Sequence, residues 1–217
     1  ELICRTPLDF AARHIEGVTH PIDGDYQEYA LMEFSGARAN SGMGAALESL
    51  LETAFENGQI LDAIIAQSES QRRGMWRIRE GVVLAQAFEG GSIKHDISVA
   101  VSRVPEFIRR ANAAAEAFIP GIRPVVFGHC GDGNLHYNYS QPLGADADAF
   151  IARWPEVKEM VHDIVEDMNG SFSAEHGVGQ LKMDDMLRYK SPLELDLMRR
   201  FKRAIDPNDI MNPGKIV

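Results

Sequence analysis

Apolar residues recur with two different periods along this chain, and the switches between them outline its elements. Leu47, Leu50, Leu51, Ala54 and Phe55 fall at helical spacing, and Asn57-Gly58 supplies a C-terminal stop. A longer helix is predicted over 68–88, with Met75, Ile78, Val82 and Ala85 on one stripe and Gly90-Gly91 closing it. Val104, Phe107, Ile108, Ala111, Ala115 and Phe118 mark a third helix. Trp154, Val157, Val161, Ile164, Val165 and Met168 mark a fourth, ended by Asn169-Gly170. Beyond 171–176 the chain turns helical again, until Asp206-Pro207 breaks it.

Between these stripes lie segments that read as strands. Residues 26–35 are rich in aromatic and apolar side chains, and 61–67 form a short apolar run. Over 92–101 the alternation is clean, with Ile93, Ile97, Val99 and Val101 on one face and Lys94, Asp96 and Ser98 on the other. Segments 124–129 and 135–140 flank the turn Cys130-Gly131-Asp132-Gly133-Asn134 and read as a hairpin. The first 25 residues show no clear period. A hairpin among interleaved helices favours an α+β domain, an antiparallel sheet covered by helices, over a doubly wound parallel sheet. With no repeat or linker, the 217 residues read as one domain.

Composition narrows the function classes. A formal charge of −10 lacks the basic footprint that broad nucleic-acid or anionic-membrane binding needs. No apolar run is long enough to span a membrane. Cys4 and Cys130 are too few for a disulfide framework or a cysteine zinc site, so a reducing cytoplasm or organelle matrix is expected. The opening Glu-Leu-Ile-Cys-Arg has neither an initiator Met nor a signal-peptide pattern, and reads as a chain that begins in mid-protein.

The chemistry concentrates in two short segments. A hairpin turning at Gly131 brings His129 across from His136, and Asn138 shares the face of His136. Two imidazoles beside a glycine-rich turn fit a zinc-like metal better than packing. The second segment is Ser173-Ala174-Glu175-His176-Gly177, in which Glu175 offers a third ligand and His176 a base; taken alone, it reads better as a helix cap by Ser173 or Glu175, and the combination with the hairpin carries the weight. Two His and one carboxylate leave open positions, the pattern of catalytic metals. Arg79 and Lys94 are cations suited to a carboxylate, although spacing alone does not separate them from surface charges.

These residues carry a resemblance. G-H-C-G-D-G-N-L-H-Y-N, A-E-H-G-V-G, W-R-I-R-E with K-H-D-I-S, and D-P-N-D-I-M-N-P-G-K-I occur together and in order. They resemble the FAD-linked oxidase C-terminal domain, the ferredoxin-like cap half of D-lactate dehydrogenase, glycolate oxidase and D-2-hydroxyglutarate dehydrogenase flavoproteins. The resemblance implies that His129, His136 and Glu175 bind a divalent metal, zinc by ligand type. It implies His176 as catalytic base, Arg79, Lys94 and Asn138 as substrate contacts, and Asn212 as a cofactor-side contact in a tail, 206–217, that returns to the flavin domain. The expected reaction oxidises a small D-2-hydroxy acid by hydride transfer to FAD, with His176 taking the hydroxyl proton.

The same resemblance implies an FAD-binding domain outside these residues, without which the fragment should not turn over. It implies an electron acceptor such as electron-transfer flavoprotein, a quinone or a cytochrome, and a cytoplasmic site, peripheral to the inner membrane or in the mitochondrial matrix of a eukaryote. In hydroxyglutarate-oxidising relatives a threonine follows the arginine by one helical turn; Val83 stands there in this chain. Two other classes fit the same residue types: a metal-dependent hydrolase with a His2Glu site, and a non-catalytic binding module with structural histidines.

Overall fold

A computed structural model of the chain describes residues 1–36 and 42–217. Its frame is a six-stranded antiparallel sheet in the order β2-β1-β5-β6-β3, with β4 also pairing β6. The strands are β1 (Leu2–Cys4), β2 (Glu28–Ala30), β3 (Ser92–Ile93), β4 (Asp96–Ser98), β5 (Arg123–Gly128) and β6 (Asn134–Ser140). The helices are α1 (Arg5–His14), α2 (Met43–Glu56), α3 (Glu69–Ala85), α4 (Val104–Phe118), α5 (Ala147–Ala152), α6 (Trp154–Asp167), α7 (Met183–Tyr189) and α8 (Pro192–Ile205). The fold is α+β, as the patterning indicates.

Helices cover both faces of the sheet. Leu135, Tyr137 and Tyr139 point from β6 into a core shared with Val104, Phe107 and Ala111 of α4 and Val157, Val161 and Val165 of α6. Ile3, Val125 and Phe127 point the other way, against Leu8 and Phe10 of α1 and Ile78 and Val82 of α3. Each such fully buried side chain contributes about 1.5–3 kcal/mol relative to exposure. The two buried phenols keep partners, Tyr137 donating to Asn112 Oδ1 and Tyr139 to the Ala111 carbonyl at 3.1 Å. A smaller cluster of Phe172, Met186 and Leu195 roots the C-terminal helices.

Several predicted elements differ. The aperiodic first stretch holds β1, too short to show a period, and α1, whose inward stripe is Pro7, Leu8, Phe10 and Ala11. The strand expected at 26–35 shrinks to β2. Residues 61–67 form no strand and pair with no sheet edge among the described residues, and Leu61 and Ile64 stay exposed. The strand expected at 92–101 breaks at Lys94-His95, because the His95 N–H turns away to donate to Asn138 Oδ1 at 3.1 Å. Asp96, expected on a solvated polar face, is buried, while Val101 is exposed.

Candidate active site

The hairpin and the segment after α6 build the site. In register, Phe127 of β5 lies opposite His136 of β6, and Asp96 of β4 lies opposite His136 from the other side. The alternation that buries Leu135 and Tyr137 therefore turns His136 and Asn138 to the opposite face, where the Phe127 and His136 rings sit 4.9 Å apart. His129 follows β5 directly. Gly133, at φ +68°, lets the turn close against β4, where a Cβ would meet the Val99 carbonyl oxygen at 1.9 Å.

Glu175 and His176 arrive from the far end of the chain. Ser171 pairs with Ser98 as an isolated antiparallel bridge, and the chain then runs past Asp96. The backbone N–H groups of Ala174, Glu175 and His176 all donate to Asp96 Oδ2, at 3.1, 3.0 and 2.8 Å. Lys182 holds the preceding residues, donating to the Phe172 carbonyl at 3.0 Å and to Ser173 Oγ at 3.1 Å.

The outcome is a compact group of imidazoles around one carboxylate. Glu175 Oε1 lies 3.0 Å from His136 Nε2 and 3.5 Å from His176 Nε2, and Oε2 lies 3.4 Å from His129 Nε2. The His136 and His176 rings stack 5.3 Å apart. One ligand atom from each of Asp96, His136, Glu175 and His176 falls within 4.8 Å of the others. A tetrahedral zinc with bonds of 2.0–2.2 Å holds its ligand atoms about 3.4 Å apart. The separations of His136 and His176 from Glu175 are of that size, whereas His129 lies outside the four-residue group: its Nε2 faces the other oxygen of Glu175, and its ring lies 6.4 Å from that of His136. Burial pushes His136 toward its neutral form, the ligating form of imidazole, against the pull of the Glu175 carboxylate.

The other expected residues sit around the same opening. Arg79 lies over the Phe127 ring and donates from Nε to Glu1 Oε2 at 2.6 Å. Glu1 also meets His129 Nδ1 at 2.8 Å. Burial opposes ionisation of Glu1, but the hydrogen bond and charge of Arg79, with His129, hold its carboxyl below the usual range. Lys94 is exposed. The Asn138 amide is engaged within the protein, accepting from the His95 N–H and donating to Gln86 Oε1 at 3.1 Å. Arg79, Lys94, His129, His136, Asn138, Glu175 and His176 all line one cavity of about 690 Å³, and Val83 lines it too. Asn212 does not; it lines a second cavity of about 520 Å³ between α8 and the tail.

Sequence reasoning passed over several cavity-lining groups. Asp96 is the foremost, and the signal available was Lys-His-Asp directly after Gly90-Gly91-Ser92-Ile93. His95, Lys158, His162 and Lys182 form a second polar wall. Burial brings His95 down to about 3 and His162 to about 4, and it lowers Lys182 against the opposing charge of Asp96.

The chain matches the family of FAD linked oxidases, C-terminal domain, over residues 1–216. It belongs to that family. It is 39% identical over 199 residues to a D-2-hydroxyglutarate dehydrogenase of Stutzerimonas stutzeri (strain A1501), covering 92% of this chain and 42% of the relative. A D-2-hydroxyglutarate dehydrogenase of Xanthomonas citri pv. viticola is 34% identical over 96% of this chain and 44% of its own length. A mitochondrial D-2-hydroxyglutarate dehydrogenase of Arabidopsis thaliana is 31% identical over 100% of this chain and 37% of its own length. The chain thus spans less than half the length of these curated relatives. Among the described residues no helix is long and apolar enough to cross a membrane.

Proposed function

We propose that this chain is the substrate- and metal-binding domain of an FAD-dependent dehydrogenase that oxidises a small D-2-hydroxy acid to the 2-oxo acid. One observation carries the reading: two cations, three ligand-type side chains and a further imidazole, from four separate stretches of sequence, line one cavity. When bound, FAD supplies the hydride acceptor and a divalent cation, zinc by ligand type, supplies Lewis acidity. His129, His136 and Glu175 would hold that cation. Arg79 and Lys94 orient the substrate carboxylate, and Asn138 fixes the polar wall beside it. His176 takes the C2 hydroxyl proton at Nε2, for which an imidazole is matched near neutral pH.

Val83 narrows the substrate question. It stands one turn after Arg79 on the cavity wall, where the family resemblance implies a threonine in hydroxyglutarate-oxidising members. Losing that hydroxyl weakens the case for hydroxyglutarate and leaves lactate, glycolate, malate or a longer apolar hydroxy acid in scope. The remaining partners are an FAD-binding domain of the same protein, which Asn212 and the tail 206–217 would face, and an acceptor such as electron-transfer flavoprotein, a quinone or a cytochrome. A cytoplasmic or mitochondrial-matrix setting accords with two free cysteines and the mitochondrial Arabidopsis relative.

The test is a screen of D-2-hydroxy acids with the full-length flavoprotein and a dye acceptor, beside His176→Ala. Turnover of one acid is expected, with kcat in the variant lower by about 10²–10⁴-fold and metal content unchanged. Esterase or amidase activity without FAD, or full turnover by His176→Ala, would overturn the assignment.

A further inference from the structure

We propose that Asp96 is a positioning residue, a buried carboxylate that folds the 174–176 backbone around itself and so aims Glu175 and His176 at the cation site without ligating the cation. Its consequence for turnover rests on the function proposed above; its structural consequence does not.

The hydrogen bonds of Asp96 go to backbone. Oδ2 accepts three successive backbone N–H groups, from Ala174, Glu175 and His176, at 3.1, 3.0 and 2.8 Å. Three donors on one oxygen saturate it, and charge-assisted hydrogen bonds of this kind are the strong ones. Oδ1 is enclosed in the protein and has no hydrogen-bond partner among the described residues. Asp96 falls within ligand distance of the cluster, but Oδ2 is engaged by three backbone N–H groups and Oδ1 is buried.

The arrangement also explains an otherwise costly feature. A buried carboxylate with an unpaired oxygen is destabilising, and native proteins rarely keep one without a use. Here the charge does what a neutral side chain would do poorly: it gathers three consecutive N–H groups to one point. Consecutive N–H groups in an extended strand alternate in direction, so bringing three together forces a tight curl at 174–176. That curl is what sends Glu175 toward His136 and His129 while His176 stacks on His136. Asp96 is itself fixed by the sheet, opposite His136, so one strand register sets the first ligand and the frame that aims the next.

The experiment uses the full-length flavoprotein with Asp96→Asn and Asp96→Leu, and His136→Ala for comparison. Amide hydrogen exchange of peptides covering 171–177 is expected to accelerate at least about tenfold in Asp96→Leu and by less in Asp96→Asn, whose amide oxygen still accepts. Zinc added as the sole metal should bind at unchanged stoichiometry in both Asp96 variants, with affinity about 10–100-fold weaker, as for supporting groups around ligands. On the accepted hydroxy acid, kcat should fall in the order wild type, Asn, Leu, while KM moves less than threefold on the order expected when substrate contacts are untouched. Unchanged exchange at 171–177 overturns the proposal. So does loss of zinc from Asp96→Asn as complete as from His136→Ala, which would make Asp96 a ligand. If Asp96→Leu does not fold, Asp96→Asn carries the same arms. If the wild type binds no zinc and oxidises no hydroxy acid, the proposed function fails while the exchange result still decides the role of Asp96.

Discussion

At the residue scale, depth decides more than face. Alternation places Asp96 on the polar side of its strand, and that placement is right about direction. What it misses is that residues 171–176 fold back over that side, and no local pattern records so distant a cover. His129 and His136 were legible because one glycine turn joins them; Glu175 was legible only through the company it keeps. His162 shows the same blindness in a helix, where it reads as one more polar position yet is buried against Asp185 at 3.3 Å. Burial lowers its pKa to about 4, with Asp185 pulling the other way. In the unfolded chain its pKa is about 6.5. Between these values the unfolded chain takes up a proton that the folded chain refuses. Stability is therefore full above pH 6.5 and falls as the pH drops toward 4, by on the order of 3 kcal/mol. Urea unfolding at pH 7 and pH 4.5 should show His162→Gln losing less stability than wild type by about 2–3 kcal/mol. Equal losses would mean that His162 does not carry the acid sensitivity.

At the level of elements, period reveals what is long and one-faced. The stripes of α3, α4 and α6 and the alternating β5–β6 pair stand where the apolar spacing puts them. The elements that escaped are the short β1 and α5 and the ten-residue α1, and the one false strand, 61–67, is an apolar run without a strand partner among the described residues. The hairpin turn adds a requirement that only coordinates expose. Gly131 faces open space, whereas a Cβ on Gly133 would collide with the Val99 carbonyl at 1.9 Å on a backbone already at φ +68°. Gly133→Ala should therefore cost about 3 kcal/mol or more, combining the left-handed penalty with displacement of backbone. For a domain of this size that lowers the melting temperature by roughly 6–12 °C. Gly131→Ala should stay within about 0.5 kcal/mol of wild type. Calorimetry of the two variants checks this directly; equal melting temperatures would show that the turn is not pressed against β4.

For the molecule as a whole, the candidate cation site gathers parts of the chain that lie far apart in sequence. His129 ends β5, His136 lies within β6, and Glu175 sits on the segment leading to α7 and α8, whose own small core is Phe172, Met186 and Leu195. A cation that binds only when these segments are assembled stabilises the assembled state, by about 2.7 kcal/mol at a free concentration one hundred times Kd. In a domain of this length that corresponds to a rise of roughly 5–10 °C in melting temperature. A chain of net charge −10 also gathers divalent cations diffusely, and that effect must be separated from a site. The two differ in what they depend on: diffuse attraction follows total charge, which His136→Ala leaves untouched, whereas a site follows its ligands. Micromolar zinc should raise the melting temperature of wild type, chelator should reverse the rise, and His136→Ala should show neither. Magnesium, which prefers oxygen ligands, should not substitute for zinc at the same concentration. A zinc shift of the same size in His136→Ala would assign the stabilisation to surface charge and leave the imidazole cluster without a cation to hold.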